Sequence, residues 1–179
     1  EARKLERLVD ELLTLARAES GTDPAQEFFD PISAIYAVIE DGRLEADEKD
    51  VAIELAGIQV DAEQRPIVAG SAALLQRAFE NLLRNAIRFS PKGGRVLVAT
   101  ELLAGPPRYR ISVEDEGSGV DPALLDSLLE PFVRSGPEGT GLGLAIADRA
   151  VRALGGSLEC RNGAAGGFVA QISLGAVSL

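Results

Sequence analysis

Two consecutive segments with strand-like patterning constrain the fold of this chain more than any other feature of its sequence. RVLVATELL (95–103) and RYRISVEDE (108–116) are rich in apolar and β-branched residues, and the AGPP between them has the composition of a turn. Because side chains alternate between the two faces of a strand, Tyr109, Ile111 and Val113 share one face. We therefore predict two adjacent strands. Further short strands are predicted at 51–55, 58–61 and 66–70, and a closing hairpin at 157–162 and 166–174.

Helical patterns lie between several of these strands. Apolar spacing predicts helices over 31–47, 71–90, 121–132 and 142–155. Ser71 and Asp121 are expected to serve as N-caps, and Gly155 closes the last helix. Strands that group together, with helices between some of them, indicate the α+β class. We expect a two-layer α/β sandwich, in which a mixed sheet carries helices on one face and a long N-terminal helix precedes it.

The first 21 residues have the pattern of that separate N-terminal helix. Leucines at positions 5, 8, 12 and 15 form the seam of a coiled coil or bundle, and Gly21 follows as a C-terminal cap. A lone helix of this length is marginal in water, so the seam needs a partner. We interpret residues 1–21 as half of a dimerisation hairpin, with packing on the chain's own domain as the alternative. Residues 22–30 are predicted to be a linker and 31–179 the main domain.

Composition excludes several classes of function. The net charge of −10 argues against a nucleic-acid partner, because the phosphate backbone would be repelled. The chain has no histidine, which rules out histidine-based metal sites and Ser–His catalysis. Its one cysteine, Cys160, cannot form an internal disulfide. Because the sequence opens inside a helical pattern and without methionine, we expect it to be a fragment of a longer protein.

The long helix over 71–90 carries two asparagines that a helix does not favour. Asn81 and Asn85 are four residues apart, so they share a face, with Arg88 close by on the same stripe. Amide oxygens are hard ligands that suit Mg²⁺, and the Arg88 guanidinium could hold a phosphate oxygen. The alternative is that these are surface residues of an ordinary amphipathic helix.

Asp115 is in phase with the apolar residues of its strand, so its carboxylate lies beside the core. A carboxylate in that position is costly unless it accepts hydrogen bonds, and the amino group of a planar base would supply one. Gly117 and Gly119 would leave room for such a base against the backbone. A turn that simply begins with an aspartate is the alternative.

The stretch EGTGLGLAI (138–146) places glycines at 139, 141 and 143 directly before a helical run. Exposed amides at a helix N-terminus bind phosphate well. The stretch matches neither the Walker pattern nor the dinucleotide-binding fingerprint, because the required lysine and the required strand are absent. A flexible loop with a glycine-rich helix start remains the alternative.

Taken in order, NLLRNA, DEGSG, EPF and GTGLGL resemble the N, G1, F and G2 boxes of the ATP-binding domain of sensor histidine kinases. That domain belongs to the GHKL superfamily, with DNA gyrase, the heat-shock chaperone and MutL. KLERLVDELLTLARAESG (4–21) is similar to the second helix of the family's dimerisation and phosphoacceptor hairpin. The resemblance covers nearly the whole chain and implies the Bergerat-type ATP-binding fold.

The resemblance implies a role for each motif residue. At the purine end, Asp115 would bind the adenine amino group, Gly117 and Gly119 would shape the pocket, and Phe89 would pack against the base. Asn85 would ligate Mg²⁺, with Asn81 nearby or sharing that role.

At the triphosphate end, Arg88 would face the phosphates. The segment 120–140, with Pro131 and Phe132 as its F box, would be the ATP lid, which is shorter than most lids of the family. Arg134 would reach a phosphate or the hairpin. The phosphates would also meet the glycine stretch through Thr140, Gly141, Leu142, Gly143 and Leu144.

The resemblance also implies a reaction. Hydrolytic relatives usually carry a water-activating glutamate at the position of Asn81, and an amide cannot act as that base. We therefore expect γ-phosphoryl transfer from Mg-ATP to a histidine that this chain lacks. The implied partners are the dimerisation hairpin, a second subunit and a response regulator, with this region in the cytoplasm and the parent protein in the bacterial inner membrane. A non-catalytic nucleotide-sensing domain and a gyrase- or chaperone-type ATPase are the alternatives.

Overall fold

The computed structural model describes residues 27–57, 66–103, 105–134, 136 and 139–177. The predicted N-terminal helix over 1–21 and the predicted strand at 58–61 lie outside the described residues. The proposed boundary between linker and domain at residue 31 stays a prediction. The structure does place Phe28 and Phe29, which belong to the predicted linker, in a short strand that pairs with Val68 and Ala69.

Three α-helices and seven strands make up the described part of the chain. The helices are α1 (Pro31–Lys49), α2 (Ala72–Phe89) and α3 (Gly143–Ala153). The strands are β1 (Phe28–Phe29), β2 (Ala52–Ala56), β3 (Val68–Ala69), β4 (Arg95–Leu103), β5 (Arg108–Asp115), β6 (Ser157–Asn162) and β7 (Phe168–Gly175). A 3₁₀ helix, Pro122–Ser127, lies between β5 and α3.

Five of the strands form one mixed sheet, in the order β2-β4-β5-β7-β6. β2 runs parallel to β4, and every other neighbouring pair is antiparallel. The central register places Val98 opposite Val113, and Val113 opposite Ala170. The mixed sheet, the β4–β5 pairing and the closing β6–β7 hairpin are thus confirmed.

The helices cover one face of this sheet, as the alternation along β5 indicates. Tyr109, Ile111, Val113 and Asp115 are all buried, whereas the residues between them are half-buried. α2 is the central helix: it packs against α1 on one side and α3 on the other, and it contacts β4 and β5. Its buried residues lie on one stripe, so burial of that stripe holds the two layers together.

One local prediction was wrong. The segment 121–132 was expected to be a helix, but only Pro122–Ser127 is helical, and it is a 3₁₀ helix. Asp121 does cap it, accepting a hydrogen bond from the Ala123 amide at 2.9 Å. Pro131 stops any continuation, and Phe132 turns the chain with a φ of 69°. Ser71 occupies the N-cap of α2 as expected, but its side chain makes no capping hydrogen bond.

Within the described ranges, no helix combines the length and the apolar character needed to cross a bilayer.

Candidate functional site

A cavity of about 870 Å³ lies beside α2 and is lined by residues of three of the four sequence motifs; EPF (130–132) contributes none, although Leu128 and Val133 on either side of it do. Its size suits a ligand of nucleotide dimensions. The predicted residues that line it are Asn81, Asn85, Arg88, Phe89, Asp115, Gly119, Arg134, Thr140, Gly141, Gly143 and Leu144. Gly117 and Leu142 are the two predicted residues that are not among the lining residues.

The cavity runs along α2. Asp115 lies beside the C-terminal end of the helix, because a Cβ on Gly117 would approach both the Phe89 carbonyl oxygen (2.6 Å) and Asp115 Oδ1 (2.8 Å). The first residue of α3, Gly143, lies beside Asn81: a Cβ there would be 3.2 Å from the Asn81 amide oxygen. From Asn81 to Phe89 an α-helix rises roughly 12 Å, so the cavity has two separate ends.

Asp115 is the acidic group of the first end. Its side chain is buried, with 3% of the residue exposed. Oδ1 accepts hydrogen bonds from the backbone N–H groups of Gly117 (2.8 Å) and Phe168 (3.2 Å). Burial raises the pKa of the carboxyl, and the two backbone hydrogen bonds oppose that rise. None of the described residues donates to Oδ2, so that oxygen can accept a hydrogen bond from a ligand in the cavity.

The glycines next to Asp115 are required by the protein's own packing. Gly119 has a φ of +71°, and a Cβ there would lie 2.8 Å from the Asn162 amide oxygen. At Gly117 the carbonyl of Phe89 leaves no room for a side chain. Room for a base was the predicted reason for these glycines; contact between neighbouring segments is a second reason that holds without a ligand.

The two asparagines of α2 differ in how they are held. Asn81 donates from Nδ2 to the Arg77 carbonyl oxygen at 2.9 Å, which turns its Oδ1 towards the start of α3. Asn85 Oδ1 accepts a hydrogen bond from an Arg88 Nη at 3.0 Å. The amide oxygen of Asn85 is therefore engaged by a guanidinium, which a metal ion at that oxygen would have to displace.

The C-terminal end of α2 is fixed from outside the helix. Lys49, the last residue of α1, donates from Nζ to the carbonyl oxygens of Ile87 (2.8 Å) and Arg88. The Arg88 guanidinium stacks on the Phe89 ring, 4.5 Å from its centroid. Phe89 keeps 40% of its surface exposed, so the ring is available for further stacking.

The glycine stretch forms the entry to α3. Gly141 has a φ of +74°, and its carbonyl accepts a hydrogen bond from the Phe132 amide at 2.8 Å. Thr140 Oγ1 accepts from the Leu142 amide at 3.3 Å. The Leu142 side chain is fully buried against Ile146, so it anchors the stretch instead of facing the cavity. Leu142 gives α3 no side-chain cap, which suits an N-terminus that receives a phosphate.

Several lining residues escaped the sequence analysis. Phe168 and Ala170 belong to β7 and line the cavity, with the Phe168 amide on Asp115. Glu45 and Arg84 also line it and form a salt bridge of 3.4 Å. Asn162 also escaped it, although its side chain holds the first residue of the predicted lid, Val120. These residues come from elements that were predicted as plain hairpin or helix. An asparagine at a strand end beside a glycine-rich turn was the one available signal.

The donor set limits how a metal could be bound. Among the described residues there is no group of three or more histidines, cysteines and acids that could hold an ion. A divalent cation in this cavity would therefore rely on amide oxygens and on oxygens of the ligand itself.

Comparison with known proteins agrees with this geometry. Residues 70–177, more than half of the chain, match the family described as histidine kinase-, DNA gyrase B- and HSP90-like ATPase. The chain is 29% identical over 175 residues to the sensor protein CreC of Escherichia coli K12, covering 96% of this chain and 35% of CreC. It is 34% identical over 172 residues to the sensor histidine kinase TrcS of Mycobacterium tuberculosis, covering 91% of this chain and 32% of TrcS.

Solved structures give the same assignment. The mycobacterial sensor histidine kinase MprB matches with a TM-score of 0.75 and 30% identity, over 87% of this chain and 100% of that one. Full-length ShkA in complex with AMPPNP matches with a TM-score of 0.81 and 26% identity, over 98% of this chain and 36% of that one.

The chain spans about a third of the length of the curated relatives CreC and TrcS. These relatives are sensor proteins and sensor histidine kinases, and neither is a gyrase or a chaperone. The fold, the three motifs that meet at one cavity and the family match lead to one conclusion: the chain belongs to the histidine kinase-, DNA gyrase B- and HSP90-like ATPase family and is the ATP-binding catalytic domain of a sensor histidine kinase.

Proposed function

We propose that this chain binds Mg-ATP in the cavity along α2, with adenine at Asp115 and the triphosphate towards Asn81 and the start of α3. The observation that carries the proposal is the position of Asp115. Its Oδ1 is held by two backbone donors, and its Oδ2 receives no hydrogen bond from the described residues. The adenine amino group is the donor that this oxygen would accept, with Phe89 stacking near the base.

The same arrangement supports the assignment of the polar residues. Asn85 is the proposed Mg²⁺ ligand, and Asn81 lies beside it or shares that role. Arg88, Arg134 and the residues Thr140 to Leu144 are the proposed phosphate contacts, with Leu142 contributing its backbone only. When bound, Mg²⁺ would supply charge neutralisation for the triphosphate. Arg88 must release the Asn85 oxygen before that oxygen can serve as a ligand, and it can then turn to a phosphate oxygen.

The proposed reaction is phosphoryl transfer to a histidine outside this chain, since the chain itself contains none. The bond between the γ-phosphorus and the β–γ bridging oxygen breaks, a P–N bond to the imidazole forms, and ADP leaves. The imidazole N–H proton passes to a base beside that histidine. Within this chain, catalysis would come from positioning and charge. Asn81 carries an amide, which cannot activate water as a general base.

The partners and location of the parent protein follow only by likeness to the family. We propose that the parent is a homodimer joined through its hairpin, that a response regulator receives the phosphoryl group, and that this domain works in the cytoplasm below a membrane anchor.

Calorimetric titration with a non-hydrolysable ATP analogue, with and without Mg²⁺, tests the proposal. We expect saturable one-to-one binding that is tighter with Mg²⁺. Adenosine, which lacks the phosphates, should bind more weakly and with no dependence on Mg²⁺. Absence of analogue binding at millimolar concentration would refute it. Adding a purified phosphoacceptor hairpin from a relative, with ATP, then tests transfer: we expect acid-labile phosphate on the hairpin and none on this chain.

A further inference from the structure

The loop from Asp115 to Val120, which we call the adenine loop, is held at both ends by the β6–β7 hairpin. At its start, Asp115 Oδ1 accepts a hydrogen bond from the Phe168 amide at 3.2 Å. At its end, the Asn162 side chain forms two hydrogen bonds with the backbone of Val120. Oδ1 of Asn162 accepts from the Val120 N–H at 2.8 Å, and Nδ2 donates to the Val120 carbonyl at 2.7 Å.

The two hydrogen bonds between the Asn162 side chain and Val120 are both short, at 2.8 and 2.7 Å. One amide group satisfies both backbone groups of a single residue, as a neighbouring strand would. The surrounding atoms leave little room: a Cβ on Gly119 would lie 2.8 Å from Asn162 Oδ1, and one on Gly167 would collide with the Asp115 carbonyl oxygen. The hairpin turn is itself closed by the Gly163 amide, which donates to the Gly167 carbonyl at 3.0 Å.

We propose that Asn162 is a positioning residue for nucleotide binding: it fixes the adenine loop and the root of the lid. Gly119 and Val120 line the cavity, whereas Asn162 stands behind them and is not a lining residue. Its effect on a ligand therefore passes through the backbone of these two residues. The inference rests on the proposed function only where it concerns the nucleotide; the fixing of the loop is a property of the ligand-free protein.

The donor and acceptor in this contact suggest a substitution that removes one hydrogen bond and leaves the size of the side chain unchanged. Asn162→Asp keeps the size of the side chain and its acceptor for the Val120 N–H, but it replaces the donor with a carboxylate oxygen facing the Val120 carbonyl. The lost hydrogen bond and the new repulsion should weaken binding of the Mg-ATP analogue by about tenfold. Gln171→Glu is the matched control. It makes the same amide-to-acid change in the adjacent strand β7, at a half-buried position that does not line the cavity.

Two measurements separate positioning from a general loss of stability. Hydrogen exchange of ligand-free protein should show faster exchange in residues 117–120 of Asn162→Asp and unchanged exchange in β4 and β5. The chain has no tryptophan, so Phe132→Trp supplies a single fluorescent reporter on the lid, where Phe132 is 62% exposed. Its emission should shift when Asn162→Asp is added and should not shift with Gln171→Glu.

Asn162→Ala is measured alongside, because it removes the contact without introducing a buried charge. It should accelerate exchange in 117–120 with a smaller loss of affinity, about threefold. Affinity within about twofold of wild type and unchanged exchange in both variants would overturn the proposal, as would acceleration spread over the whole sheet. If wild-type protein fails to bind the analogue while 117–120 still exchange faster in the variants, the proposed function fails and the fixing of the loop by Asn162 stands.

Discussion

Asp115→Asn should change which purine this cavity prefers. Oδ1 of Asp115 accepts from two backbone amides, those of Gly117 and Phe168. An asparagine must keep its oxygen on these donors, because the reverse orientation would set its NH₂ group against two N–H groups. The variant therefore presents an NH₂ group to the cavity where wild type presents a carboxylate oxygen.

The size of the effect follows from this exchange. A hydrogen bond to a charged acceptor contributes about 1.5–3 kcal/mol, which corresponds to about 10- to 150-fold in affinity. The variant loses that bond to the adenine amino group and gains a donor–donor clash. Inosine triphosphate carries an oxygen in place of the amino group, and this oxygen can accept from the new NH₂ group. Wild type should thus prefer ATP, and Asp115→Asn should prefer the inosine nucleotide.

The assay is competition calorimetry with ATP and inosine triphosphate on wild type, Asp115→Asn and the control Asp47→Asn, which makes the same change at an exposed position on α1. The ratio of the two dissociation constants is the readout, since a global loss of folding would lower both affinities together. An unchanged ratio in Asp115→Asn would refute the assignment of this carboxylate to the purine.

The same substitution has a signature in stability. Burial raises the pKa of Asp115 in the folded protein, so between the unfolded and folded pKa values the native state binds more protons than the unfolded state. The contribution of Asp115 to stability consequently falls as the pH rises through that window. Asp115→Asn removes this dependence and relieves the burial of a charge. The melting temperature of the ligand-free variant at neutral pH should therefore equal or exceed that of wild type.

Three further substitutions test other parts of the site. Asn85→Ala should abolish the Mg²⁺ dependence of analogue binding; calorimetry with and without EDTA checks it, and a retained dependence would exclude Asn85 as the ligand. Gly141→Ala should lower stability by about 1–2 kcal/mol, because φ is +74° and a Cβ would lie 2.7 Å from the Phe132 carbonyl carbon. Gly136→Ala, with nothing within 4 Å, is its control in thermal melts. Lys49→Met should weaken analogue binding about fivefold by releasing the last carbonyls of α2; equal affinity would show that this cap is dispensable.

Local patterns were sufficient for most of the fold. α2 and the β4–β5 pair were predicted because periodicity and capping depend on residues that are close together in the chain. The observed ends of these elements agree with the predicted ends within one or two residues. The segment 121–132 was mispredicted since its leucines have helical spacing, while Pro131 and the left-handed Phe132 limit the helix to a single 3₁₀ stretch. The helical propensity of these leucines is overridden by the turn at Phe132, whose amide donates a hydrogen bond to the Gly141 carbonyl.

The candidate site also contains some residues that local sequence patterns identify and others that they do not. Asn81, Asn85 and Asp115 could be singled out because each is unusual for its own helix or strand. Phe168 could not be singled out, and Asn162 offered only its place at a strand end beside a glycine-rich turn. The importance of both residues arises only when β7 pairs with β5 and the β6–β7 turn meets the adenine loop. A contact made 42 residues apart in the chain leaves no periodic trace in one sequence.

In the proposed binding mode, the charges around the cavity would set the direction of the nucleotide, although the chain's net charge is −10. Arg84, Arg88 and Arg134 line it together with Glu45 and Asp115, so the lining carries one positive charge more than negative. The acid that lies deepest is at the C-terminal end of α2, and the N-terminus of α3 is at the other end. Reversing the nucleotide would place a triphosphate against a buried carboxylate, which costs several kcal/mol at the effective dielectric of such a site, about 20. We therefore expect overall acidity to disfavour long polyanions at the surface, while the proposed separation of charge inside the cavity would favour one orientation of a bound nucleotide.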